Sequence, residues 1–168
     1  MILLVFLLLL PVQVFSSIDD DLILVGSNVC NSYNTLERQF KCGQSGYFIG
    51  YGLRYCNRFF NKDYYSHFDN TGKHFVNCTG PCLIDELKSF LKTTPKAGCQ
   101  AITNKAFGTH VDCYVKCGFC KACKTNKDAL RRIYEFKDFL STKALETVED
   151  TLKKCGGIIS GALGCLFG

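Results

Sequence analysis

The chain has only three histidines, His67, His74 and His110, and none stands in a visible setting of nucleophile, base and orienting group. That scarcity argues against acid–base or nucleophilic catalysis, so the sequence reads as a non-enzyme with no cofactor. Massed charge is missing too. The formal net charge is +5 with a sequence pI near 8.6, but Lys and Arg are scattered, which argues against a nucleic-acid partner. No run keeps the two-residue alternation of a strand for long enough to build a sheet. The longest apolar run, residues 2–10, is too short to span a bilayer as a permanent helix, so no stable membrane insertion is expected.

That run contains no acidic residue and is followed by Pro11 and the small residues near Ser16, as a secretory signal peptide requires. Cleavage after Ser16 is expected, although no basic residue follows Met1. The expected organisation is a signal peptide at 1–16, one domain at 17–155, and an apolar glycine-rich tail at 156–168. What the chain has in abundance is cysteine, twelve in all. In a secreted chain that number reads as a disulfide scaffold, although counting leaves the connectivity open. One glycosylation sequon is present at Asn77-Cys78-Thr79.

Periodicity predicts an all-α, disulfide-rich bundle of about four to six short helices. Residues 17–52 read as irregular, because Gly43, Gly46, Gly50 and Gly52 lie too close together for a helix. Helical spacing starts near Tyr51 and runs through Tyr55, Phe59 and Phe60. Residues 67–73 read as a turn in which Gly72 takes positive φ. Pro81 is placed in the first turn of the next helix, whose apolar face is Leu83, Ile84, Leu87 and Leu91, with a stop at Pro95. A helix at about 99–121, interrupted or bent near Gly108, comes next. Thr125 or Asn126 caps another, with Leu130, Ile133, Phe136 and Leu140 inward. Ser141 caps the last, where Leu145, Val148 and Leu152 share a face before Gly156 and Gly157 end it.

Cys113, Cys117, Cys120 and Cys123 would share roughly one face of a continuous helix. Such a row suits either thiolate ligands to zinc or an iron–sulfur cluster, or disulfides to neighbouring helices. An oxidising compartment favours the disulfides, and only His110 lies near enough to complete a mixed metal site. No metal is expected.

The stretch Phe68-Asp69-Asn70-Thr71-Gly72-Lys73-His74-Phe75-Val76, with Cys56 before it and Cys82-Leu83-Ile84 after, resembles the signature of stanniocalcins. Cys99, Cys113, Cys120 and Cys155 follow at the intervals of that family, and Tyr114, Lys116, Lys124, Asn126 and Ala129 match further positions. The resemblance covers about residues 51–155. Departures are the missing N-terminal cysteines and sequon, the additional Cys78, Cys117, Cys123 and Cys165, and a short tail in place of a long polar extension. The family pattern implies Cys82–Cys113 and Cys120–Cys155, and leaves Cys56 and Cys99 to Cys30 and Cys42, most simply as Cys30–Cys56 and Cys42–Cys99. If Cys82 and Cys113 join antiparallel helices, one turn outward on each brings Cys78 toward Cys117. Each such bond restricts the denatured chain by roughly 3.5 to 4 kcal/mol.

Cys123 and Cys165 remain. Stanniocalcins are disulfide-linked dimers, which makes Cys165 the candidate interchain cysteine; the alternative is an intrachain Cys123–Cys165 bond. The resemblance implies a secreted glycoprotein hormone that binds a cell-surface receptor or another extracellular protein such as a metalloproteinase. The family's role is in calcium and phosphate homeostasis. A small secreted cysteine-rich effector or defence protein is the other class that fits, with the tail touching membranes, although that tail lacks the basic face of interfacial helices.

Overall fold

The computed structural model describes residues 18–135 and 142–156, with side chains from Gly26 onward. All regular elements among the described residues are helical: α1 (Ile18–Phe40), a π-helical segment (Tyr47–Leu53), α2 (Arg54–Phe60), α3 (Lys62–Tyr65), α4 (Asn70–Thr93), α5 (Cys99–Lys116), α6 (Phe119–Thr125), α7 (Lys127–Ile133) and α8 (Thr142–Lys154). The all-α expectation holds, with more helices than foreseen and two of them long. The signal-peptide run, Phe136, Leu140, Ser141 and Cys165 lie outside the described residues.

The region read as irregular is where sequence and structure part most clearly. Between residues 18 and 40 the chain is one 23-residue helix. Its polar residues are indifferent helix formers, but Cys30, Tyr33 and Leu36 recur at three-residue intervals and are buried. Packing against the π-helical segment and α2 therefore outweighs propensity. Of the four close glycines, Gly43, with φ +81°, and Gly46 do lie in the non-helical turn after α1, whereas Gly50 and Gly52 sit inside the π-helical segment. A Cβ on Gly52 would stand 2.5 Å from the Tyr33 ring, so this glycine lets two helices approach. Its absence of a side chain is a packing device.

Asp69 sets the start of α4, since its side chain accepts a hydrogen bond from the Gly72 amide. Helix therefore begins at Asn70, Gly72 is helical, and Pro81 falls inside α4 instead of in a first turn. An interior proline removes one backbone hydrogen bond and crowds the preceding turn. Here it is flanked by two cross-linked positions, Cys78 and Cys82. The stop at Thr94-Pro95 is where expected, with the Thr94 amide closing onto the Phe90 carbonyl.

Helix α5 passes straight through Gly108 and ends at Lys116. The break comes at Gly118, whose φ of +83° is open to glycine and costly for other residues. In α7 Leu130 and Ile133 are fully buried, as the spacing requires. In α8 the buried face is Ala144, Thr151 and Leu152, whereas Leu145 is 49% exposed. The apolar period alone had placed Leu145 inward.

The core mixes aliphatic residues and cysteines with a cluster of aromatic rings. Tyr47, Tyr51 and Tyr114 meet His110 edge-to-face, Phe107 stacks on it, and Tyr55 packs between Tyr51 and Tyr134. Arg54 and Arg58 both pair with Glu135, the latter at 2.8 Å, and tie α2 to the chain that leaves α7. Gly52→Ala is expected to cost about 1 to 3 kcal/mol, because Tyr33 is 3% exposed and has no room to yield. Urea denaturation midpoints of the two proteins check this, and an unchanged midpoint contradicts it.

Candidate functional site: the disulfide ladder and the signature joint

Helices α4 and α5 lie side by side and carry two rungs. Cys82–Cys113 and Cys78–Cys117 have Cα–Cα separations of 5.8 and 5.5 Å. The positions are four residues apart on each helix and run in opposite order, as rungs between antiparallel helices must. Cys30–Cys56 joins α1 to α2, and Cys42–Cys99 ties the segment after α1 to the start of α5. Cys120–Cys155 fastens α6 to the end of α8. Cys123 is buried and disulfide-bonded as well. The interchain candidate Cys165 lies outside the described residues.

The four cysteines from Cys113 to Cys123 do not form one continuous stripe. The turn at Gly118 splits them, so Cys113 and Cys117 face α4 while Cys120 meets α8. Their sulfurs are consumed by disulfides. Among the described residues no three His, Cys, Asp or Glu side chains converge as a metal site would need.

The signature residues build a joint. Phe68 is buried and stacks on Phe59, with ring centroids 6.3 Å apart, while Phe75 and Val76 enter the core. Asp69 caps α4 at 2.8 Å and accepts a second bond from the Asn126 side-chain amide, also at 2.8 Å. The Asn126 carbonyl oxygen in turn accepts from the Asp69 backbone amide at 2.8 Å. Asn126 also donates to the Ala122 carbonyl and the Thr125 hydroxyl. It occupies the N-cap position of α7 without capping it through its side chain. Instead it locks the α6–α7 junction onto the start of α4. A Cβ on Gly72 would meet the Asn126 side chain at 2.6 Å, so the glycine makes that approach possible. The Gly72 amide, together with Asn126, holds the Asp69 carboxyl down at about 2. Stability from this bond is complete above the ordinary carboxyl pKa and fades as pH falls toward 2.

Lys73 lies over the Tyr65 ring at 5.6 Å, and His67 and His74 are exposed. Asn77 is exposed on α4 and donates to the Tyr65 hydroxyl at 3.0 Å, whereas Thr79 of the same sequon is buried. His110 is the one histidine inside the core. Its Nδ1 lies 2.6 Å from the Ala106 carbonyl, which fixes the tautomer, and burial pushes its pKa down to about 4. Beside it are two cavities of about 40 and 30 Å³. Each has room for little more than water, far less than an organic ligand needs. A wider groove of about 400 Å³ runs between α4 and α5 over Gly108. Its charges balance: Glu86 and Asp112 against Lys105 and Lys116.

Helices cross-linked rung by rung define a disulfide-stapled helical protein. A model of the stanniocalcin family matches residues 13–164, and the chain belongs to that family. Membership supports a hormone role of the stanniocalcin kind. No curated protein and no solved structure matches the chain. Among the described residues no helix is long and apolar enough to cross a membrane. The signature was visible in sequence, but its bond to Asn126 was not, because 57 residues separate Asp69 from its partner.

Asn126→Ala is expected to destabilise by about 1 to 3 kcal/mol, since it strips Asp69 of two bonds. A double-mutant cycle with Asp69→Asn, read by denaturant titration, should show non-additivity; simple additivity would contradict the joint. His110 gives a pH dependence of definite sign. Its folded pKa lies below the unfolded value near 6.5, so the unfolded chain binds the extra proton. Stability should therefore fall as pH drops from 6.5 to 4, by at most about 3 kcal/mol. Thermal unfolding across that range should show a shallower decline in His110→Phe than in the wild type; equal declines would contradict the assignment.

Proposed function

We propose that this protein is a secreted stanniocalcin-like hormone that acts by binding another protein outside the cell. The observation that supports this best is the consumption of the described cysteines in disulfides. Such a framework persists in oxidising compartments and is reduced in the cytosol. Rigid helices without a ligand-sized cavity in the core offer surfaces, which suits a protein recognised by a receptor. A cell-surface receptor or a secreted metalloproteinase is the partner class, and calcium and phosphate handling the physiology, that family membership suggests.

Glycosylation at Asn77 belongs to the same reading. The side chain is exposed, and a glycan there would project from α4 beside the Cys78–Cys117 rung. Covalent dimerisation has less support. Cys123 is already bonded, and Cys165 is the one remaining cysteine of the twelve. A dimer through Cys165 requires that Cys123 take some other sulfur.

Protein labelled and collected from the medium of secreting cells provides the test. Saturable cell binding that is displaced by unlabelled protein and abolished by trypsin treatment of the cells is the expected result. Retention inside the producing cells, or binding that trypsin leaves intact, would overturn it. The collected material should lose mass when N-glycans are removed, and Asn77→Gln should abolish that loss. Non-reducing electrophoresis separates a monomer from a Cys165-linked pair.

A further inference from the structure

One segment concentrates basic residues, and the fold turns them to a single side. Between Lys116 and Arg132 the chain carries six Lys and Arg against one acid, Asp128, a local excess equal to the +5 of the whole protein. On α6 and α7 the buried positions are Phe119, Ala122, Cys123, Asn126, Ala129, Leu130 and Ile133. They recur every three or four residues across the Asn126 junction, so both helices turn one shared side to the core. Lys121, Lys124, Lys127, Arg131 and Arg132 fall on the opposite side and are all exposed. Along the helix axes these five cations cover roughly 16 Å at the usual rise per residue. Asp128 lies 3.7 Å from Arg131, both exposed, and a pair of that kind neutralises little. Asp69, which meets the junction from α4, has its carboxylate taken by Gly72 and Asn126.

We infer that this strip on α6 and α7 binds a sulfated polysaccharide. A row of cations along one face fits a linear polymer bearing regularly spaced anionic groups, and their summed field steers such a polymer toward it. The other polyanions fit less well. Between residues 119 and 133 the only aromatic is Phe119, which is buried, so no ring is offered to stack on nucleic-acid bases. Nor is any apolar side chain of that segment exposed to enter a lipid surface. The disulfide framework places the strip where sulfated polysaccharides occur, and to that extent the inference rests on the extracellular reading. The strip is independent of any protein receptor. It would hold the hormone at cell surfaces and in matrix, and limit its spread.

The test uses purified full-length protein and immobilised heparin over a range of NaCl concentrations. Two variants remove equal charge from exposed positions: Lys121→Gln/Lys124→Gln/Lys127→Gln/Arg131→Gln on the strip, and Lys41→Gln/Lys88→Gln/Lys92→Gln/Lys96→Gln elsewhere. Wild type and the second variant should bind at about 0.15 M NaCl. The strip variant should bind at least roughly ten-fold more weakly, and its slope of log Kd against log salt should fall by about four. Binding of wild type to desulfated heparin should be lost. An equal loss in both variants would overturn the inference, because net charge alone would then explain retention. No binding of wild type, or tighter binding to phosphatidylserine vesicles or duplex DNA than to heparin, would also overturn it. Trypsin-sensitive cell binding that survives in the strip variant would leave the hormone reading standing on its own.

Discussion

The paired rungs Cys78–Cys117 and Cys82–Cys113 are the constraint on which the other contacts depend. They fix α4 against α5 in register, so the aromatic core has one wall that cannot slide. That wall also explains how Pro81 is tolerated inside α4. An interior proline costs a helix about 3 kcal/mol or more, and each rung restricts the denatured chain by a similar amount. With cross-links on both sides of the proline, the helix has no inexpensive way to open there. Further rungs repeat the logic at the edges, fastening α1 to α2 and the end of α8 to α6.

The joint between Asp69 and Asn126 does for direction what the rungs do for register. Two short polar side chains hold the start of α4 onto the junction of α6 and α7. The junction then sets which faces of those two helices turn outward. A structural lock in the core side of α6 and α7 thus determines where Lys121, Lys124 and Arg131 are displayed. The residues that give the family its signature shape a surface without forming part of it.

The helical class and the core of α7 were legible in sequence because their signals are local: apolar spacing at Leu130 and Ile133, and the proline stop after Thr94. Gly52 and Gly72 were misread for one reason. A glycine that breaks a helix and one that admits a neighbouring ring look alike until the neighbour is known. Helix α1 was missed because its apolar stripe is thin and its polar residues indifferent, so only contact with α2 and the π-helical segment makes it stable. The family pattern implied the pairing of most cysteines, since counting leaves many connectivities open, and Cys78–Cys117 followed from placing one more rung a turn outward from Cys82–Cys113. The basic strip lies close together in sequence, from Lys121 to Arg132, but becomes one surface only when the buried side of α6 and α7 is fixed.

A stanniocalcin built this way is a cross-linked set of helices, held above all by the rungs between α4 and α5. Mass mapping of peptides from the secreted protein, digested without reduction, tests those rungs. One cross-linked species joining the Cys78–Cys82 region to the Cys113–Cys117 region is expected, with no reaction of these cysteines with thiol reagents even after denaturation. Free thiols at Cys78 or Cys117, or either bonded to a cysteine outside α4 and α5, would contradict it.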